Sequence, residues 1–420
     1  MPSRIFQQLE SKARIRASAR RHEGPIRLTI VQRGDYAEAF ERIHRGEGGT
    51  YYAQEYTVAH VGKLAARDDV ESVSVVNFNS DQQPNTLSNG VESSGVELFP
   101  AGQRDRNNAL IAAVERTDPT HLVVAAPIVP LLRWGLREQL VMLALFADSF
   151  QGDSFRTRVR NQRLAFVLNH PGIDLVANHN LASSFDLARI GVDRAKVVPF
   201  DWPAVISPRD WEAKAAPKAG APLRLVYVGL LAELKGVGDA IEAVAHLRRK
   251  GRDVQLTIIG TGEQEIFERL ARQHNVADDV HFTGRIPHAD VLKTMRSHDV
   301  VLVPSRHAYP EGLPMTLYEA LCTRTPLVAS DHPMFKLKIR DGINAVVHRE
   351  MDSRHLADSV LRLCDDAELY ERLSVAAEHA DDEYLCPLKW DKLVSDFLVD
   401  EDREKLFAHS LERTSLIPPR

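Results

Sequence analysis

The sequence has little cysteine and no long hydrophobic run. Its 420 residues include Cys322, Cys364 and Cys386, too few and too scattered for a disulfide framework or a CxxC metal site, which favours a reducing compartment. The longest apolar runs, 122–132 and 140–147, fall well short of the ~20 residues that a membrane span needs and are typical of buried strands. Since the N-terminus also lacks an apolar signal-peptide region, we expect a cytoplasmic protein, with peripheral association at the inner face of the membrane as a further option.

Several catalytic signatures are missing as well. The 17 histidines include no HExxH or similar metal-ligand spacing, and neither GxSxG nor GxxxxGK[ST] occurs. The sequence therefore gives little reason to expect a zinc hydrolase, a serine hydrolase or a P-loop NTPase. We expect neither a metal nor an organic cofactor. The near-neutral balance of 53 basic and 58 acidic residues disfavours a nucleic-acid partner.

What is present is the composition of a globular protein with more than one core. Hydrophobic residues make up 44% of the chain and charged residues 26%, and the length suits two or three domains. The segment 204–222, rich in Ala, Pro and Lys, predicts a linker between an N-terminal domain at 26–203 and a C-terminal domain at 223–383. A basic arm at 1–25 precedes these domains, and a helix and tail at 384–420 follow them.

Short β-branched runs alternate with segments of helical spacing, which predicts βαβ units and two parallel sheets. Strands are predicted at 27–31, 73–77, 96–99, 121–126, 140–146, 173–177, 196–199, 223–228, 254–259, 279–282, 299–303, 326–329 and 344–347. Helices are predicted near 52–67, 107–116, 156–169, 235–250, 263–275, 288–297, 313–323, 353–380 and 388–407. The Asn-, Ser- and Gly-rich stretch 79–95 is predicted to be a mobile surface loop. The fold class is therefore α/β with two Rossmann-like domains.

Two segments are strongly basic. Residues 1–25 carry six basic side chains against two acidic ones, and the predicted helix that begins at Arg156 adds Arg158, Arg160 and Arg163. Such segments suit an anionic membrane surface or an anionic acceptor. A solvated helix face and a frayed terminus have the same composition, so both interpretations stay open.

The strongest local motif runs from Glu311 to Glu319. It follows a strand-like run and opens a helix, with Pro314 in the first helical turn. Free N–H groups in that turn can face a diphosphate, and two carboxylates in this arrangement can bind sugar hydroxyls at two places on one long ligand. The spacing equally fits one carboxylate that stabilises the helix dipole and one that is solvated.

Glycines at other turns are weaker signals. In the segment 229–236, a glycine at a strand end and Lys235 at a helix start suit a phosphate, and the glycines at 48–49 would also let a phosphate approach. The segment 260–262 has two of the three glycines of a dinucleotide fingerprint, but Glu265 occupies the third position. Ordinary tight turns and flexible loops explain these glycines as well.

In combination, these segments resemble the donor domain of a GT-B retaining glycosyltransferase of the family 4 type (glycosyl transferases group 1). The matching stretches, roughly 223–348, are VYVGLLAELKGV, LTIIGTGEQ, VHFTGRIP, DVVLVPSRHAYPEGLPMTLYEAL, TPLVASDHP and IRDGINAVV. The first half of the chain also resembles the family's acceptor domain, but more weakly than the second half resembles the donor domain. The segment 388–398 resembles the family's terminal helix. The resemblance implies two Rossmann-like domains that face each other across a cleft, with the C-terminal helix crossing back to the first domain.

The resemblance also implies roles for the matching positions. Glu311 and Lys235 would be catalytic: Glu311 would contact the donor sugar near its reacting carbon, and Lys235 would neutralise the departing diphosphate. Glu319 would bind the ribose. The donor sugar and phosphates would contact Gly48, Gly49, Gly229, Gly312, Leu313, Pro314 and Asp148. The nucleobase would contact Arg285 and Ile286.

One position departs clearly from the family pattern. Leu230 stands where the family usually has an arginine, the second cation for the diphosphate, and loss of one such cation could cost several kcal/mol of transition-state stabilisation. Asp148 lies in a region where the family often has a histidine, so its assignment rests on position alone.

The resemblance implies retaining, metal-independent transfer of a hexosyl unit from a nucleoside-diphosphate sugar to an acceptor hydroxyl. A UDP-sugar is favoured over a GDP-sugar, and the acceptor would be a small molecule, a lipid or a cell-envelope glycan. The main alternative is a catalytically weak GT-B partner subunit that binds sugar nucleotides, which Leu230 favours. A pyridoxal-phosphate phosphorylase would need a longer chain, and the motif from Glu311 to Glu319 argues against an epimerase.

Overall fold

The computed structural model describes residues 24–78, 80, 82–97, 103–152, 154–218, 220–380 and 384–413. Most of the basic arm predicted at 1–25 lies outside these residues. The described chain divides into two compact units. Unit 1 takes its described residues from Met1–Arg45, Gln54–Pro203 and Cys386–Pro418, and unit 2 takes its own from Gly46–Ala53 and Ala204–Leu385.

Strands and helices alternate along most of the chain. The strands are β1 Ile26–Arg33, β2 Val70–Phe78, β3 Asn85–Thr86, β4 Val91–Val96, β5 His121–Val124, β6 Val141–Phe146, β7 Leu175–His179, β8 Val197–Phe200, β9 Leu223–Val228, β10 Val254–Ile259, β11 Val280–Gly284, β12 Val300–Val303, β13 Leu327–Ser330 and β14 Val346–His348. The α-helices are α1 Tyr36–His44, α2 Gln54–Ala65, α3 Gln103–Glu115, α4 Val129–Arg137, α5 Phe155–Leu168, α6 Leu181–Arg189, α7 Val237–Arg249, α8 Gln264–Gln273, α9 His288–Ser297, α10 Met315–Cys322, α11 Ser353–Asp365, α12 Ala367–Ala376, α13 Trp390–Phe397 and α14 Asp400–Leu406.

Unit 1 is built on an eight-stranded sheet in the order β3-β4-β2-β1-β5-β6-β7-β8, in which β3 is antiparallel to β4 and the other pairs are parallel. All six residues of β6 are buried, as expected for a parallel strand covered on both faces. The C-terminal helix α13 returns to this unit, where Trp390, Leu393 and Phe397 join the same buried cluster as Leu143 of β6. The prediction that the C-terminal helical segment crosses back to the first domain is confirmed, although the single helix predicted at 388–407 is the two helices α13 and α14.

Unit 2 is built on a six-stranded parallel sheet in the order β11-β10-β9-β12-β13-β14. Helix α7 covers it with a stripe of buried residues at Val237, Ile241 and Val244, which recur at the helical period. The strand order changes direction between β9 and β12. In an open parallel sheet, ligands bind beyond the carboxyl ends of the strands at this switch point. The loops after β9 and β12 are therefore the first place to look for a site.

Several element predictions are confirmed and others are wrong. Strands 223–228 and 254–259 and helix 288–297 match residue for residue. The predicted loop at 79–95 is wrong, because it contains β3 and β4. Strand β4 pairs with β2, and Asn77 of β2 donates to the Ser93 hydroxyl at 3.0 Å. The strand predicted at 96–99 therefore lies earlier and ends at Val96.

Two further predictions are corrected. The apolar run 122–132 is not one strand: β5 ends at Val124, and Leu131 and Leu132 are buried in α4, which has a proline in its first turn. The single helix predicted at 353–380 is two helices. Asp366 begins the second one, where its carboxylate accepts a hydrogen bond from the Leu369 N–H at 3.0 Å. No helix in the described part of the chain is long and apolar enough to span a membrane.

Candidate functional site

The loops after β9 and β12 are packed tightly against each other. Gly236 closes the β9 loop with a φ of 73°, and a Cβ on this residue would overlap the carbonyl of Pro304 in the β12 loop. Only glycine suits both the backbone conformation and the space. The Arg306 N–H also donates to the carbonyl of Leu234 at 2.9 Å. The two loops thus form one surface at the switch point of unit 2.

Lys235 and Glu311 meet on this surface. The lysine Nζ donates to Oε1 and Oε2 of Glu311 at 2.7 and 2.8 Å, and it lies 4.5 Å from the centroid of the Tyr309 ring. Glu311 is 4% exposed, and the Lys235 side chain is 15% exposed. Burial raises the pKa of Glu311, and the ammonium of Lys235 offsets part of that rise. A buried ion pair of this kind is well placed to exchange its internal contacts for those of an anionic, hydroxyl-rich ligand.

The β9 loop carries Gly229 and Leu230 just before this pair. The Tyr227 hydroxyl donates to the carbonyl of Leu230 at 2.8 Å, and burial raises the pKa of Tyr227 well above its usual value, which keeps the hydroxyl protonated. The Leu230 side chain is 49% exposed. The position expected for a second cation is therefore filled by a solvent-facing apolar group.

Arg306 does not replace the missing cation. Its guanidinium donates to both oxygens of Asp239 at 2.8 and 3.0 Å and to Glu233 at 3.1 Å. The hydrogen bonds to Asp239 raise the pKa of Arg306. Its charge thus ties the β12 loop to the β9 loop and to the start of α7.

The segment after Glu311 leads into α10. Leu313 is buried, Gly312 and Pro314 are partly exposed, and Pro314 is in an extended conformation directly before the helix. The first N–H groups of an α-helix have no partner within the helix, which includes those of Met315 and Thr316. The predicted sugar and phosphate contacts of this segment thus lie beside the Lys235–Glu311 pair.

Glu319 contacts a histidine that the sequence interpretation missed. His288 Nε2 lies 2.6 Å from Oε1 of Glu319, and both side chains are largely buried. The His288 backbone N–H donates to the carbonyl of Gly49 at 3.1 Å, and its ring contacts the edge of Tyr52. The segment that contains Gly48 and Gly49 therefore belongs to unit 2 and lies next to Glu319. His288 directly follows a motif that was recognised, but nothing in the sequence indicates its partner.

The remaining predicted site residues lie elsewhere. Arg285 is exposed and Ile286 is partly buried between β11 and α9 of unit 2. Asp148 belongs to unit 1 and follows β6, where its carbonyl accepts a hydrogen bond from the Asn178 side chain at 3.0 Å. Burial raises the pKa of Asp148, and Arg33 opposes that rise. Within unit 2, the structure brings Lys235 to Glu311, but it does not place Asp148 in that unit.

A second polar cluster, also missed by the sequence interpretation, lies at the carboxyl ends of β12, β13 and β14. His307 contacts Asp331 and Glu350, each at 2.9 Å. Next to it, His332 is fully buried: its Nδ1 accepts the Met334 N–H, and its Nε2 faces the carbonyl of Tyr309, both at 3.2 Å. Burial lowers the pKa of His332 to about 4. Among the residues that the structure describes, no group of three or more His, Cys, Asp or Glu side chains could hold a metal ion.

Two Rossmann-like units with a site at the switch point of the second define a GT-B fold, and solved structures agree. Sucrose-phosphate synthase from Thermosynechococcus elongatus has a TM-score of 0.65 at 17% identity and covers 91% of this chain and 100% of its own. Anabaena HepE, solved in complex with UDP-glucose, has a TM-score of 0.64 at 14% identity and covers 90% of this chain and 97% of its own. Likenesses at this level of identity establish the fold.

The family match lies in unit 2. Residues 209–380 match the model of the family glycosyl transferases group 1. The alpha-D-kanosaminyltransferase of Streptomyces kanamyceticus is 36% identical over 151 residues, which are 36% of this chain and 38% of that protein. The matched region spans less than half the length of the curated relatives that it matches. The resemblance drawn from the motifs is confirmed.

Proposed function

We propose that this protein transfers a hexosyl unit from a nucleoside-diphosphate sugar to an acceptor hydroxyl, with retention at the anomeric carbon. The observation that carries the proposal is the buried Lys235–Glu311 pair at the switch point of unit 2. The match of residues 209–380 to the glycosyl transferases group 1 family supports it, and the likeness to HepE with bound UDP-glucose favours a UDP-sugar over a GDP-sugar.

In this proposal, unit 2 stabilises the departing diphosphate without a metal ion. Lys235 exchanges one contact with Glu311 for a phosphate oxygen, and the N–H groups at the start of α10 contact the same anion. The carboxylate of Glu311 then accepts hydrogen bonds from hydroxyls of the donor sugar. Gly229 and the segment from Gly312 to Pro314 let the phosphates and the sugar approach the backbone.

Glu319 and His288 serve the nucleoside in this mechanism. Glu319 binds the ribose hydroxyls, and His288 orients the carboxylate through the 2.6 Å contact. Gly49 is held beside them by the His288 backbone, with Gly48 before it, and Arg285 and Ile286 contact the base.

The proposed chemistry needs no protein nucleophile. The bond between the anomeric carbon and the phosphate oxygen breaks, and the acceptor oxygen bonds to the same face of that carbon. The acceptor proton passes to the departing phosphate oxygen, so atoms and charges balance. The acceptor, which we propose to be a hydroxyl of a lipid or glycan, binds on unit 1.

A catalytically weak partner subunit that binds sugar nucleotides is the second candidate. The observation that favours it is the exposed Leu230 side chain in place of a cation, because a single lysine stabilises a leaving diphosphate less than two cations do. In that case nucleotide binding would persist, but donor turnover would not be detected for any sugar.

A panel of UDP-, GDP- and ADP-sugars tests the proposal. Thermal stabilisation reports binding, and donor hydrolysis and transfer report turnover. We expect stabilisation and turnover with at least one UDP-sugar, and a loss of roughly 10²–10³ in kcat/KM for Lys235→Ala and Glu311→Ala. Lys293→Ala, which removes an exposed lysine from α9, is the matched control. Unchanged turnover in Lys235→Ala and Glu311→Ala would contradict the assignment, and stabilisation without turnover of any donor would favour the partner subunit.

A further inference from the structure

Helix α5 of unit 1 exposes two phenylalanines. Phe155 is 81% exposed and Phe166 is 75% exposed, which makes them the most exposed large hydrophobic residues in the described part of the chain. Single apolar residues scattered on a surface are ordinary. Two phenyl rings this exposed on one helix are unfavourably hydrated, which indicates a surface that binds a partner.

The two rings lie on the same face of α5. Eleven residues separate them, close to three helical turns, which places them in line and about 16 Å apart. Val159 lies between them and is partly buried. The exposed Arg156 and Arg163 lie along one side of this line, and the exposed Arg158 lies along the other. The face is an apolar stripe bordered by cations.

The charge of this surface is mainly positive, although the exposed Glu138 caps the C-terminus of α4. Helix α5 contains no acidic residue, and neither does α4, which packs beside it and exposes Arg133 and Arg137. Arg133, Arg137, Arg156 and Arg163 form no ion pair with any other described residue. We call these two helices with their exposed arginines and phenylalanines the α4–α5 face. Its charge calls for an anionic partner.

An anionic lipid bilayer fits this face better than an acidic protein or a polyanion. Aromatic side chains in line along a helix insert at the level of lipid headgroups, and flanking arginines contact the lipid phosphates. A polyanion would match the arginines but would leave both phenyl rings in water. The rings and the cations together are the signature of a helix that lies in a membrane interface.

The position of α5 in unit 1 gives the contact a direction. The helix starts shortly after β6 ends, so Phe155 lies on the carboxyl-end side of the sheet, the same side on which open parallel sheets bind ligands. A bilayer against this end of α5 would lie next to the ligand-binding edge of unit 1.

We propose that the α4–α5 face docks on the surface of an anionic lipid bilayer through Phe155, Phe166 and the arginines beside them. The docking requires neither a bound donor nor turnover. It can therefore be tested independently of the proposed transferase activity.

Vesicle co-sedimentation of the full chain tests the electrostatic part. We expect binding to vesicles of 70% phosphatidylcholine and 30% phosphatidylglycerol, little binding to phosphatidylcholine alone, and weaker binding as salt rises. The Arg156→Ala/Arg163→Ala double variant should bind the anionic vesicles roughly tenfold or more weakly. The Arg269→Ala/Arg272→Ala double variant removes the same charge from exposed positions of α8 in unit 2 and should bind like the unsubstituted chain.

Tryptophan fluorescence tests the aromatic part. Phe155→Trp and Phe166→Trp each add the fluorescence of one tryptophan to that of the unsubstituted chain. On anionic vesicles this added fluorescence should shift to the blue, and brominated lipid in the vesicles should quench it. Ile266→Trp, at an exposed position of α8, should show neither change. Equal binding to neutral and anionic vesicles, unchanged binding by Arg156→Ala/Arg163→Ala, or unquenched emission from both tryptophans on bound protein would each overturn the proposal.

Discussion

At position 230 the loop after β9 presents a leucine to solvent beside the Lys235–Glu311 pair. We expect Leu230→Arg to increase kcat/KM for donor turnover, by about tenfold, because a second cation would stabilise the departing diphosphate. Leu234→Arg adds the same charge to an exposed position of the same loop and should leave kcat/KM within about twofold. Steady-state kinetics at saturating acceptor measure both. Equal gains in the two variants would point to general electrostatic attraction instead.

His332 makes the stability of unit 2 depend on pH. Burial lowers its pKa to about 4, so the folded protein keeps the ring neutral while the unfolded chain binds a proton as pH falls below about 6.5. The stabilising effect of the neutral ring is complete above pH 6.5 and is lost progressively as pH falls to about 4. The maximal loss is about 3 kcal/mol.

Urea unfolding at pH 7 and pH 5 checks this prediction. His332→Asn keeps an acceptor for the Met334 N–H without a titrating group, so the difference in unfolding free energy between the two pH values should shrink. His281→Asn, at an exposed position of β11, should keep the difference of the unsubstituted chain. Equal pH dependence in His332→Asn and the unsubstituted chain would show that other groups account for it.

These residues differ in how far the sequence could reveal them. Lys235 and Glu311 stand out because each lies in a recognisable local motif. Their direct contact is formed only because β9 and β12 are neighbours in the sheet, and no local pattern encodes that pairing. His288 lies in no motif, and His332 lies in the matching stretch TPLVASDHP without an assigned role. Their contacts with Glu319 and Tyr309 come only from the fold.

At the scale of elements, the β9 loop depends on one glycine. We expect Gly236→Ala to destabilise the protein by about 2 kcal/mol or more and to raise the donor KM, because the new Cβ would overlap the Pro304 carbonyl and shift Lys235. Gly251→Ala is the matched control: its φ is 77°, but open space surrounds the position, so only the backbone cost of about 1 kcal/mol applies. Chemical denaturation and donor kinetics measure the two effects. An equal loss of unfolding free energy in both variants would mean that the overlap with Pro304 does not destabilise the protein.

Elements of unit 2 were predicted more accurately than those of unit 1 for a physical reason. Strands β9 and β10 are short apolar runs between clear turn signals, so local pattern defines them. Strand β4 reads Val-Glu-Ser-Ser-Gly-Val, which is polar and contains a glycine. It is a strand because β2 pairs with it and because Asn77 binds Ser93, both long-range effects that a local pattern does not contain.

At the scale of the whole molecule, the two units have separate cores. The core of unit 1 combines residues from the beginning and the end of the sequence. One buried cluster collects residues of β9–β14 and α7, and the other collects residues of unit 1 together with α13. The C-terminal helix therefore stabilises the unit that begins the chain. A defect in α13 should weaken unit 1 and leave unit 2 folded.

A pair of cavity-forming substitutions tests this division. Phe397→Ala in α13 and Phe267→Ala in α8 each remove a buried phenyl ring, at an expected cost of about 3–5 kcal/mol. Because the cores are separate, amide hydrogen exchange should speed up in β1, β6 and β7 for Phe397→Ala and in β9 and β10 for Phe267→Ala. Addition of UDP should still raise the melting temperature of Phe397→Ala, whereas Phe267→Ala should lose most of that stabilisation. If exchange instead rose equally in both sheets for either variant, the two units would unfold as one cooperative unit, which would contradict the division of stability between two separate cores.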